Sequence, residues 1–223
     1  MALAIFDLDE TLIAGDSCSL FCEYLLEKGI VDQSFVERDA ELMRLYTQGQ
    51  LDQHDYIEFF IGELKHLSIE QIHALMPVFI ESYIKPVIYP QAVSLLKALT
   101  EQNLRLLIIS ATSSFIVEKV AELLNVNDFI AIELEVSGSY YTGKIQGTPS
   151  FGKGKVTRLK SWLEEQEESL EGASFFSDSI NDRPLLEVVS FPVATNPDQA
   201  LTQLARQNSW PVLQWHLKEE GLR

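Results

Sequence analysis

Residues 3–11 read LAIFDLDET. An apolar run from Leu3 to Phe6 leads directly into Asp7, Asp9 and Glu10. The run is too short for a helix and reads as a buried strand. Each acid that follows raises the cost of ionising its neighbours. A strand suited to a protein interior therefore ends in crowded carboxylates. That is tolerable only where positive charge is close by, or where the repulsion is put to use.

The chain has 223 residues, 46% hydrophobic and 22% charged, an ordinary globular balance. Its length suits one core domain with a large insertion, or two modest domains. The formal net charge is −16 and no run of Lys and Arg occurs, which argues against a nucleic-acid partner. No stretch approaches the ~20 apolar residues of a membrane span, and the N-terminus lacks a basic region followed by an apolar run and a cleavage site. The chain thus reads as soluble and cytoplasmic, with no membrane partner. Cys18 and Cys22 share one helix face. Two thiols are half of the roughly four ligands a zinc site needs, so they read as small buried hydrophobes.

The texture from residue 17 to about 83 is helical, with apolar residues recurring at three and four, as in Ile57, Phe60, Ile61 and Leu64. Asp32 and Ser68 are N-cap candidates. An all-helical insert of about four helices is expected. After the two-proline connector at 85–90, the chain alternates. A helix from Pro90, a strand over 104–109 ending at Ser110, and a helix through Leu124 are followed by a strand over 129–136 and a glycine-punctuated hairpin. Then come a helix over 155–165, strands over 173–176 and 191–194 with a helix from about Asn181 between them, and short fragments to the end. This alternation predicts an α/β fold: a doubly wound, mostly parallel, Rossmann-like sheet. The expected domains are 1–15 with 86–223 as the core and 16–85 as the helical insert.

In such sheets, ligands bind beyond the carboxyl ends of the strands. The groups expected there are Asp7, Asp9 and Thr11, then Ser110-Ala111-Thr112, then Asp178 with Asn181 and Asp182. Gly152-Lys153-Gly154-Lys155 opens a helix among them. This set suits phosphoryl transfer. Asp7 can act as a carboxylate nucleophile. Asp9 can protonate the leaving oxygen and later deprotonate water. Ser110 can hold a phosphate oxygen at a helix N-terminus. A Lys adds positive charge, and Asp178 and Asp182 with Asp7 can hold Mg2+.

D-x-D-x-T at Asp7, Asp9 and Thr11, Ser110 after a strand, a Lys, and D-x-x-x-D at Asp178 and Asp182 resemble the haloacid dehalogenase-like superfamily of phosphohydrolases. FDLDETLIAGDS, GKGKV and SDSINDRPLL are similar to its subfamily IB, which includes phosphoserine phosphatases, and the helical insert resembles a type 1 cap. The resemblance implies an aspartyl-phosphate mechanism with Asp7 as nucleophile and Asp9 as acid/base. The Asp9 carbonyl, Asp7 and Asp178 would hold magnesium, supported by Asp182. Ser110 and Lys153 would bind the phosphoryl group, with Lys155 on the helix surface and Thr11 a structural part of the loop.

The leaving group is expected to be chosen by the cap. By resemblance, Asp16 matches the acid that meets a substrate amine; it is also a candidate N-cap for the helix from Ser17. Phe60 falls where phosphoserine phosphatases place a carboxylate-binding Arg, and Ser110-Ala111-Thr112 replaces Ser-Gly-Gly. Both departures favour a small amine-bearing phosphomonoester such as histidinol phosphate over phosphoserine. The alternatives are a phosphoserine phosphatase, a phosphotransferase on the same core, a phosphorylatable switch, and a silent binding scaffold. Oligomeric state is not legible in the sequence.

Overall fold

The computed structural model describes residues 2–217. Strand β1 (Leu3–Phe6) lies at the centre of the molecule with all four residues fully buried. Its neighbours are β2 (Arg105–Ser113) and β6 (Ser174–Ser177), both parallel to it. Strands β3 (Asp128–Ile132), β7 (Phe191–Thr195) and β8 (Val212–Leu213) complete a parallel six-stranded sheet in the order β3-β2-β1-β6-β7-β8. The sheet is covered on both faces, which is why β1 is apolar at every position instead of alternating with polar residues. Leu3, Ile5, Leu107, Ile109 and Phe175 face one core; Ala4, Phe6, Leu106, Ile108 and Phe176 face the other.

Helices α1 (Ser17–Glu27), α2 (Gln33–Thr47), α3 (Gln53–Gly62) and α4 (Ile69–Phe79) form the expected helical insert. α4 continues through a π turn (Ile80–Ile84) and a 3-10 turn (Lys85–Val87). Each start is set by a side chain accepting a backbone N–H: Asp16, Asp32, Asp52 and Ser68, the last in a reciprocal capping box with Gln71. Such caps contribute roughly 1 kcal/mol each. Helices α5 (Pro90–Glu101) and α6 (Ser114–Leu124) pack on the Ala4/Phe6 face. Helices α7 (Lys153–Gln166), α8 (Arg183–Leu186) and α9 (Gln199–Gln207) pack on the Leu3/Ile5 face.

The expected strand over 129–136 is two strands. β3 ends at Ile132, and β4 (Leu134–Ser137) pairs instead with β5 (Tyr140–Ile145) in a separate antiparallel hairpin. Ile130, Ile132, Leu134 and Val136 keep a period of two straight through the break, so the pattern does not mark it. The hairpin ties down the insert: Ile69 N–H donates to the Ser139 carbonyl at 2.9 Å, and Tyr141 stacks on Phe115 and meets His73. The expected helix from Asn181 is a 3-10 turn (Ile180–Asp182) running into the short α8.

Phe60 does not face a ligand cavity. It is fully buried in an aromatic cluster with Phe21, Tyr56 and Phe115. Its α3 position falls on the packing stripe with Ile57 and Ile61. Phe60→Ala is expected to lower the unfolding free energy by about 3–5 kcal/mol, read by urea titration, and to leave substrate ranking as it was. A changed ranking with intact stability would return the ring to the cavity wall.

Candidate active site

Asp7 follows β1 directly, with its N–H still on the ladder to the Phe176 carbonyl at 2.9 Å. The chain then folds back. The Leu8 carbonyl accepts from the N–H groups of Thr11, Leu12 and Ile13, and Glu10 takes a positive φ of 54°. This turn separates the three clustered acids. Asp7 is buried, Glu10 is exposed, and Asp9 is turned towards the helical insert. Ser17 N–H donates to Asp9 Oδ1 at 2.7 Å, and Thr112 Oγ1 donates to Asp9 Oδ2 at 2.7 Å. Burial raises the Asp9 carboxyl above its ordinary range, while these donors work against the rise.

Ser110 is not the end of its strand. β2 runs on to Ser113, but its register with β3 slips between Ile109 and Ser113. The slip takes Ser110, Ala111 and Thr112 out of regular pairing, a common device beside active sites. Ser110 is fully buried; its Oγ accepts from Thr112 N–H at 3.0 Å, and its carbonyl accepts from Ser150 Oγ at 2.5 Å.

The lysine at the site is Lys155, and the expectation for Lys153 is corrected. Lys155 Nζ lies 2.9 Å from Asp7 Oδ1 and 2.7 Å from Asp182 Oδ2, with its side chain 1% exposed. Lys153 is exposed at the first position of α7. Residues two apart on a helix point roughly 200° from one another, so only one of the two can reach the sheet rim. Gly154 lets the helix start lie against the preceding loop: a Cβ there would sit 2.0 Å from the Pro149 carbonyl oxygen. Asp182 also departs from expectation. It is 2% exposed and lies behind the cavity, its Oδ2 taken by Lys155 and by Ser177 Oγ at 2.8 Å. Thr11 Oγ1 donates to Asp178 Oδ1 at 3.1 Å.

Burial pushes Asp7 up to about 7; Lys155 works against the rise, and Asp182 adds to it. Burial, then Asp7 and Asp182, holds Asp178 well above the carboxylate range. Burial would drive Lys155 down, but Asp182 and Asp7 keep it above its ordinary value and charged.

A cavity of about 250 Å³ opens over these groups. Its floor includes Asp7, Asp9, Ser110, Ala111, Thr112 and Asp178, and its roof comes from the insert: Asp16, Ser19, Met43, Tyr46, Leu51, Gln53 and Tyr56. Among the described residues no lysine, arginine or histidine lines it. Asn181 is not in the wall; its Nδ2 donates to the Tyr46 carbonyl at 3.2 Å, linking the rim to the insert. Asp16 does line it while also capping α1, with Ser19 N–H donating to Oδ1 at 2.8 Å. Burial, then the nearby Asp9, pushes the Asp16 carboxyl up to about 8. Sequence reasoning missed Lys155, Gln53, Tyr56 and the role of Thr112. The first could be told from Lys153 only once the phase of α7 was known, and the roof positions carry no motif.

The haloacid dehalogenase-like hydrolase pattern matches residues 4–187. The chain belongs to this family. A histidinol-phosphatase of Neisseria meningitidis serogroup C (strain 8013) is 41% identical over 216 residues, 95% of this chain and 97% of that protein. A crystal structure of a Bordetella pertussis Tohama I protein of unknown function superposes with a TM-score of 0.88 at 34% identity, covering 95% of this chain and 97% of that one. A substrate-bound phosphoserine phosphatase shares the fold, with a TM-score of 0.70 at 18% identity over 95% and 92% of the two chains. The protein is a phosphoric monoester hydrolase of the haloacid dehalogenase type. No helix among the described residues is long and apolar enough to cross a membrane.

Lys155→Ala leaves two buried carboxylates without their cation. It is expected to cost about 3–5 kcal/mol of stability along with turnover, whereas Lys153→Ala should shift stability by no more than ~0.5 kcal/mol. Chemical denaturation and a phosphate-release assay on both variants check this. Asp16 gives a pH signature. Its native value of about 8 lies above the ~3.9 of an unfolded chain, so the stability it contributes is present below pH ~4 and lost as pH rises to about 8. Asp16→Asn keeps an acceptor for Ser19 N–H and has no proton to lose. The variant's Tm relative to the parent should therefore climb between pH 4 and 8, and a flat difference would contradict the buried carboxyl.

Proposed function

We propose that this protein is a magnesium-dependent phosphatase that cleaves a small amine-bearing phosphomonoester, histidinol phosphate being the substrate favoured, through an aspartyl phosphate on Asp7. The observation that carries the proposal is the pairing of Asp7 with Lys155 under a cavity whose remaining charge is acidic.

Asp7 attacks phosphorus, and the leaving oxygen takes a proton from Asp9. Burial holds that proton on Asp9, while the Ser17 N–H and Thr112 hydroxyl fix the carboxyl in place. Water then attacks the acyl phosphate as Asp9 takes the proton back, releasing phosphate and restoring Asp7. Lys155 keeps Asp7 aligned and offsets charge on the phosphoryl oxygens, with Asp182 and Ser177 holding the ammonium in position. Ser110 meets a phosphoryl oxygen, and Ala111 closes the space beside it.

The donor set fits magnesium: the Asp7 and Asp178 carboxylates and the Asp9 backbone carbonyl are all hard oxygens. Magnesium takes one or two carboxylates, retains waters and binds a substrate phosphate oxygen. When bound, the ion offsets charge shared by Asp7, Asp178 and the phosphoryl group.

We assign the core to 1–15 and 86–223 and the cap to 16–85. The two crossings lie side by side, with Ala14 N–H donating to the Val87 carbonyl at 2.7 Å and Ile13 bridging Ile88. Tyr46 on α2 reaches the core through Asn181 and through ring contact with Phe151, as a closed cap would.

The leaving group follows from the roof. Asp16 can receive an ammonium, and among the described residues no basic side chain lines the cavity to receive a carboxylate. This favours the activity named for the Neisseria relative over that of the phosphoserine phosphatases, which are more distant in sequence. The decisive comparison is kcat/KM for histidinol phosphate and phosphoserine with and without magnesium. The first is expected to dominate and to need the ion; a higher value for phosphoserine overturns the assignment. Asp7→Asn should lower turnover roughly 10³-fold or more and Asp9→Asn about 10²–10⁴-fold. Asp16→Asn should cost roughly 10–100-fold in kcat/KM for the amine-bearing ester, the range of one charged hydrogen bond.

A further inference from the structure

Several polar groups of the cavity roof are committed within the protein. Ser19 Oγ donates to Asp39 Oδ2 at 2.6 Å, and Tyr56 OH donates to Asp39 Oδ1 at 2.9 Å, so the buried Asp39 is turned away from any ligand. Asp16 keeps one oxygen on Ser19 N–H. Gln53 differs. It opens α3, lines the cavity, is 6% exposed, and its Nε2 has no hydrogen-bond partner. Of the three described buried side-chain nitrogens and oxygens without a partner, the other two, Ser113 Oγ and Thr195 Oγ1, belong to residues outside the cavity wall.

An unpartnered amide at a buried position is costly to the fold, and such groups are normally satisfied. Because Gln53 lines the cavity, a group that enters it can supply the missing partner. We propose that Gln53 is a specificity-determining residue whose amide N–H binds an uncharged acceptor on the leaving group, separate from the ammonium held by Asp16. The preferred substrate then carries two features beyond its phosphate: an amine, and an acceptor such as the unprotonated nitrogen of an imidazole ring. This deepens the proposed function and rests on its reading of the leaving group as an amine. A pocket that merely tolerated amines would have no use for a second polar anchor. One built to hydrogen-bond a substrate atom discriminates strongly against analogues that lack it.

The test compares two esters that share the amine and differ in the ring: histidinol phosphate and the phosphate ester of 2-aminopropan-1-ol. In Gln53→Met, which keeps length and helix propensity but removes the amide, the kcat/KM ratio of the first to the second is expected to fall about tenfold, the worth of one hydrogen bond. The Tm of the ligand-free variant should equal or exceed that of the parent, because a buried unsatisfied group has been removed. An unchanged ratio in a folded variant overturns the role of Gln53. So does a variant that fails to fold or melts well below the parent, since the amide would then be structural. A parent enzyme that turns over neither ester, while releasing phosphate from p-nitrophenyl phosphate, overturns instead the reading of the leaving group.

Discussion

The ammonium of Lys155, clamped between Asp7 and Asp182, is the contact on which the site depends. It joins the end of the central strand to the first turn of α7 and to the loop after β6, elements that are remote in sequence and meet only through the parallel sheet. Buried charge is tolerable only when paired and hydrogen-bonded, and this triad meets that condition with help from Ser177 and the face of the Phe175 ring. The crowding of acids at the N-terminus is therefore no accident of composition. One acid is neutralised from below, one is held by Ser17 and Thr112, and the third, Glu10, is turned out to solvent.

Carboxyl groups stand at both ends of this cavity. At the floor, Asp7, Asp9 and Asp178 gather at the rim of the sheet, with Lys155 paired to Asp7 beneath them. At the roof, Asp16 and the Asp39 network add further carboxyl groups, and among the described residues no basic side chain lines the cavity beside them. The same loop that delivers Asp9 to the floor ends in Asp16 at the roof, so the two ends of the cavity are only a few residues of chain apart.

Much of this was legible in the sequence. Leu3–Phe6 had to be a strand because it is short, apolar and flanked by polar residues, and it is the central one. The caps at Asp32 and Ser68 and the helix opened by Pro90 follow from local chemistry that tertiary packing did not override. The choice between Lys153 and Lys155 was not legible from spacing, since both lie in one Gly-Lys repeat. The phase of α7 decides it, and that phase depends on where the backbone meets Pro149. Phe60 was misplaced for a related reason: aligning a helix by its start does not say which face it buries. Gln53 left no trace in the pattern, because a lone amide at a helix start resembles any surface glutamine until the protein closes around it.

The neighbouring crossings at Ala14 and Val87 have a consequence for how such an enzyme diversifies. A segment that leaves and rejoins a scaffold at adjacent points imposes almost no constraint on the scaffold's own closure, and its length enters the loop entropy only logarithmically. The sheet and its carboxylates can thus stay fixed while the intervening helices are exchanged, shortened or elaborated.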